Sequence, residues 1–134
     1  MNPKTVLQIA FNKACQGIID QGVASNIPDA KIGCYYRLKS GDKVLKCAIG
    51  QLLSDEQIKK YKIKEGDDVR KFSTYLIDEL LPGIEFETSY KFLDDLQLAH
   101  DMASQVKEQP FLQYFVYSAN GVADTFGLER IITK

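Results

Sequence analysis

One pair of alternating stretches limits what this chain can fold into more than any other feature. Ile32, Cys34, Tyr36 and Leu38 alternate with Gly33, Tyr35, Arg37 and Lys39, and Leu45, Cys47 and Ile49 alternate with Val44, Lys46 and Ala48. Period two marks strands with one buried face, so about 32–38 and 44–50 are expected to form an antiparallel hairpin. A two-residue turn at Ser40-Gly41 would set residue 34 opposite 47 and 36 opposite 45, whereas a four-residue loop would set 36 opposite 47 with the same faces inward. A three-residue loop calls for a bulge, since without one Cys47 would face the polar side.

Everything else reads as helix. Asn2-Pro3 is a start signal, and Leu7, Phe11, Ala14, Cys15 and Ile18 follow at helical spacing until Gly22. Ser54-Asp-Glu-Gln57 is a capping box that should open a short helix through Tyr61. Gly66-Asp-Asp should start another, with Val69, Phe72, Leu76 and Leu80 on one stripe and Pro82-Gly83 as its stop. Ile84 to Glu87 reads as an extended connection, and Ser89 as the cap of a helix with stripe Phe92, Leu93, Leu96, Ala99, His100 and Ala103. A last helix from about Pro110 carries Phe111, Phe115, Ala119, Val122 and Phe126 to a left-handed stop at Gly127, despite the weakening Asn120-Gly121 pair. The expected fold class is α+β: a mostly helical single domain over 1–134, about five helices packed on one small hairpin.

The 134 residues suit one core. Seventeen basic and eighteen acidic side chains argue against a nucleic-acid-binding surface, which is normally basic. No apolar run reaches the ~18 residues of a membrane span, and there is no signal-peptide pattern. The odd cysteine count, three, points to reduced thiols. A cytoplasmic protein is therefore expected. Charge is segregated: Lys31 to Lys71 holds 11 basic and 6 acidic residues, and Asp78 to Asp101 holds 7 acidic and 1 basic. The two stretches are expected to complement each other across the fold; the sharper alternative is a basic surface at Lys59, Lys60, Lys62 and Lys64.

Three chemistries compete at the cysteines. Cys15, Cys34, Cys47 and His100 are four soft ligands on inward faces, yet no two lie closer than twelve intervening residues, unlike the close pairs of zinc sites. Cys47 with His100 is the one nucleophile–base pairing to consider, because His100 is the only histidine. Asp101, being adjacent to His100 and so about 100° away around a helix, is not expected to orient its ring; Asp94 or a carbonyl would have to. A Cys34–Cys47 disulfide requires direct pairing and an oxidising compartment. Cysteine as a small core residue accounts for all three. No phosphate-binding glycine loop or other cofactor motif is present, so no cofactor is expected. On the outer hairpin face Tyr35, Arg37 and Lys46 are the candidate binding residues.

The segments Cys34-x-Tyr36-Arg37, Leu45-Lys46-Cys47-Ala48-Ile49-Gly50 followed by Ser54-Asp55-Glu56, and Leu96-Gln97-Leu98-Ala99-His100-Asp101 resemble a signature of short uncharacterised phage, prophage and bacterial proteins: C-x-Y-R, L-K-C-A-[IV]-G, a P-D-E and a later L-x-x-A-H-D. Ser54 stands where those relatives have proline, and it keeps the helix start. The resemblance implies a shared fold and a mobile-element origin but carries no activity. The expectation is a small accessory protein that binds a partner protein or a small ligand; the alternative is a hydrolase or transferase using Cys47 and His100.

Overall fold

Local signals set several of the helix ends where the sequence places them. In this computed structural model, which describes residues 2–26, 35–106 and 110–131, helix α1 spans Pro3–Gln21. The Asn2 carboxamide oxygen accepts from the Thr5 N–H at 2.9 Å, and Gly22 at φ 82° ends the helix by donating to the Ile18 carbonyl. Helix α2, Asp55–Lys60, has the full capping box, Ser54 with Gln57. Helix α5, Phe111–Phe126, stops at Gly127, φ 68°, with the Leu128 N–H donating to the Ala123 carbonyl at 2.8 Å.

Two expectations are corrected. The single helix read from Gly66 to Leu80 is two pieces, a 3-10 turn at Val69–Lys71 and helix α3 at Thr74–Leu80. Ser73 is the reason: its hydroxyl accepts from the Leu76 N–H at 3.2 Å, so the backbone leaves the helical region at Phe72 and Ser73 and restarts. Phe72 and Leu76 stay buried nonetheless. Helix α4 starts earlier than Ser89, spanning Phe86–Gln105. Ser89 therefore lies inside it, buried, and its hydroxyl has no hydrogen-bond partner among the described residues.

Among the described residues the strand ladder covers less than the expected 32–38 and 44–50. Strands β1, Leu38–Ser40, and β2, Lys43–Leu45, pair Leu38 with Leu45, Lys39 with Val44 and Ser40 with Lys43. The turn is Gly41-Asp42, with Gly41 at φ 60°. This phase is the one that sets 36 opposite 47, reached with two turn residues because the ladder runs on to Ser40. Past Leu45 the Cys47 N–H donates to the Tyr35 carbonyl at 3.1 Å. The chain then coils through 46–53, and Gly50 sits so close to the first strand that a Cβ there would lie 2.6 Å from the Tyr36 oxygen. Residues 32–34 of the expected first strand, Cys34 included, lie outside the described residues.

Helices α4 and α5 form the main packed pair, with α1 against α5 and α3 against α4. One cluster joins Phe11, Ile18, Tyr36, Cys47, Ile49, Leu76, Phe92, Leu96 and Phe115, so the hairpin's inner face and the helices share a core. No helix among the described residues is long and apolar enough to cross a membrane. After α5 the chain runs back along α1 and α5, gripped by two side-chain amides. Gln8 accepts from the Glu129 N–H at 2.7 Å and donates to its carbonyl at 3.3 Å. Asn120 does the same to Ile131, at 2.7 and 3.2 Å.

Lys62, just past α2, adopts φ 53°, while the Ile63 N–H closes the helix end on the Ile58 carbonyl at 3.0 Å. Glycine is the residue that occupies such a position without a Cβ penalty. Lys62→Gly should raise stability by about 0.5–1 kcal/mol, read as a higher urea midpoint with an unchanged m-value.

Candidate functional site

His100 is fully buried, as its helical stripe implies. Its Nε2 accepts from the Ser25 N–H at 3.1 Å, which places the ring proton on Nδ1, 3.0 Å from Asp101 Oδ1. The expectation that Asp101 cannot orient the ring is thus overturned: Nδ1 lies on the backbone side of the imidazole, within reach of the next residue's short carboxylate. Gln97 donates to the same Asp101 oxygen at 2.8 Å and accepts from the Ile49 N–H at 3.2 Å. The Ser25 hydroxyl donates elsewhere, to the Tyr35 carbonyl at 2.8 Å. Ser25, His100 and Asp101 are therefore no catalytic triad, since a backbone N–H, and not the hydroxyl, faces the imidazole. The group ties α4 to the loops that enter and leave the hairpin.

Both imidazole nitrogens being engaged, neither has a lone pair to offer a thiol or a metal ion. Cys47 is completely buried, and Cys15 nearly so. Burial pushes the Cys15 thiol up to about 12, far from the thiolate range a nucleophile or ligand needs. Among the described residues no three His, Cys, Asp or Glu side chains converge on a possible metal position. Cys34, the remaining member of that set and of the disulfide question, is outside the described residues.

Arg37 corrects the expectation of a wet outer hairpin face. Its guanidinium turns inward, donating to the carbonyls of Tyr36 at 2.8 Å, Gly50 at 2.9 Å and Leu53 at 2.7 Å, and to the Asp55 carboxylate at 2.8 Å. The Arg37 hydrogen bond holds the Asp55 carboxyl below its ordinary range. Glu65 grips the same place from outside, accepting the Tyr36 N–H at 2.6 Å and the Arg37 N–H at 3.2 Å. Lys46 is half-buried, its backbone paired with Gln21 in both directions, at 2.8 and 3.1 Å. Tyr35 is also half-buried. The three candidate binding residues thus sit close together, but the charge that would recognise a partner at Arg37 is committed to the fold.

The opposite charges of the two long stretches do meet. Arg70 pairs with Asp94 at 2.8 Å and Glu87 at 3.3 Å, and Lys60 with Glu79 at 3.7 Å. Lys59, Lys62 and Lys64 remain exposed.

A cleft of about 500 Å3 opens between α1, the coil before α2, and the end of α3. Val6, Ala10, Leu52 and Leu53 form its apolar floor, and Ile9, Leu80 and Pro82 its walls. Its rim is polar. Glu79 receives hydrogen bonds from the Tyr61 hydroxyl and from Gln57 Nε2, the latter at 3.2 Å. These contacts lower the Glu79 pKa, Tyr61 contributing most, and the Glu79 carboxylate raises that of Tyr61 in return. Opposite stands Lys13. An apolar basin with a few converging polar groups is the general form of a small-molecule site. The sequence offered no local sign of it, because its walls come from residues 6–13, 52–57 and 79–82.

Comparison with protein-family models, with curated proteins and with solved structures finds no match to this chain.

Two substitutions test these assignments. Arg37→Lys keeps the charge but loses the fork, leaving carbonyls in the 50–53 coil without donors. It should cost about 2–3 kcal/mol, visible as a lower denaturant midpoint. His100→Ala strands the Ser25 N–H and opens a cavity. A loss of about 3 kcal/mol, or roughly 10 °C in melting temperature, is expected.

Proposed function

We propose that this chain is a small cytoplasmic accessory protein, of the phage- and prophage-borne kind that its hairpin and α4 segments resemble, and that it works by holding a small amphipathic molecule rather than by catalysis. The observation that carries the reading is the open apolar floor of Val6, Ala10, Leu52 and Leu53 beneath a polar rim. Ile9, 52% exposed, lines the same cleft and leaves apolar surface facing solvent that a ligand would cover.

The Cys47–His100 enzyme has less behind it. Its general base would have to give up the Ser25 contact, which occupies the lone pair on Nε2, before it could take a proton from a thiol. Docking of a partner protein over Tyr35, Arg37 and Lys46 would likewise rest on half-buried side chains, the guanidinium among them already spent.

Native mass spectrometry of freshly purified protein tests the reading. A small-molecule adduct is expected, reduced in Ile9→Gln, a change at a half-exposed wall that should leave the melting temperature within about 1–2 °C. An adduct that survives Ile9→Gln undiminished, a bound metal ion in its place, or no adduct at all would overturn it.

A further inference from the structure

The charge of the cleft is asymmetric in what it has left to give. Val6, Ile9, Ala10 and Lys13 follow one another at helical spacing down one face of α1. The wall is therefore apolar for about one turn, from Val6 to Ala10, and then ends on an ammonium-bearing residue about 10 Å along the axis from Val6. Lys13 is exposed and enters no ion pair or hydrogen bond among the described residues. On the other side, Glu79 has one oxygen on Gln57 and the other on Tyr61 and Lys60. Gln57 and Ser54 are bound to each other in the capping box of α2. Of the polar groups lining the cleft, Lys13 is the charged one without a partner among the described residues.

We infer that the ligand is an amphipathic anion, with an apolar body lying along Val6, Ile9 and Ala10 over Leu52 and Leu53 and a carboxylate or similar head on the Lys13 ammonium. This rests on the cleft being a ligand site. A cationic head would meet Lys13 unfavourably and find Glu79 already taken. A neutral one would leave the lysine unused. The body is limited to a medium-length chain or a single ring system by the length of the apolar wall and by the cleft's volume of about 500 Å3.

Amide chemical shifts of 15N-labelled protein titrated with octanoate, 1-octanol and octylammonium test this directly. Octanoate should perturb amides along 6–13 and 52–54 and bind about fivefold more tightly than octanol, with octylammonium weakest. Rising salt should erode the octanoate advantage and leave octanol binding unchanged. Lys13→Gln should bring octanoate down to octanol's affinity, Lys13→Arg should restore it, and Lys4→Gln, on the same helix but outside the cleft, should change nothing. If octanol and octanoate bind the cleft equally and Lys13→Gln is silent, the cleft remains a ligand site and the anion inference falls. If none of the three probes moves the cleft amides, or octanoate moves others instead, both fall together.

Discussion

A single guanidinium holds the irregular part of this protein in place. The coil from residue 46 to 53 is buried for most of its length yet has neither helix nor strand to satisfy its carbonyls. Arg37 reaches two of them, at Gly50 and Leu53, together with its neighbour's carbonyl and the Asp55 side chain at the start of α2. A planar fork with five donors can do this where a lysine ammonium cannot. The positions of Leu52 and Leu53, and hence the cleft floor, follow from it.

Around that anchor the coil is gripped by side chains from elements far away in sequence. Gln21 at the end of α1 takes the Lys46 peptide, Gln97 of α4 takes the Ile49 N–H, and Gln51 lies across Gly17, where a Cβ would come within 2.2 Å of its amide oxygen. Asp101, His100 and Ser25 extend the chain of contacts to the hairpin's entry. Buried polar groups are costly when unmet and orienting when met. Here they take over the role that a longer strand ladder would otherwise have filled.

The helices were legible because their signals are local: Asn2, Ser54 and Gly127 act within a turn of themselves, and the buried stripes follow from spacing alone. The break at Ser73 left no clear mark, since a serine inside an apolar periodicity reads equally as an exposed helical position and as a new cap. The hairpin's alternation was legible, whereas its length was set by Gly50 and Arg37 acting across the fold. The inward turn of Arg37 had no sequence signature, because alternation assigns a face to a side chain but does not say where a long one bends. Burial of His100 followed from its stripe. Its contact with Asp101 did not, because angular separation on a helix describes Cβ directions and ignores how close a ring nitrogen lies to its own backbone. The cleft, assembled from three distant segments, left no trace in any one of them.

Gln8 and Asn120 grip the peptide groups of Glu129 and Ile131 and touch none of the information in their side chains. A hold of that kind is indifferent to residue type, provided the N–H is there. Most substitutions at 129 would therefore keep this stretch of chain docked, whereas a single proline at either clamped position would undo it.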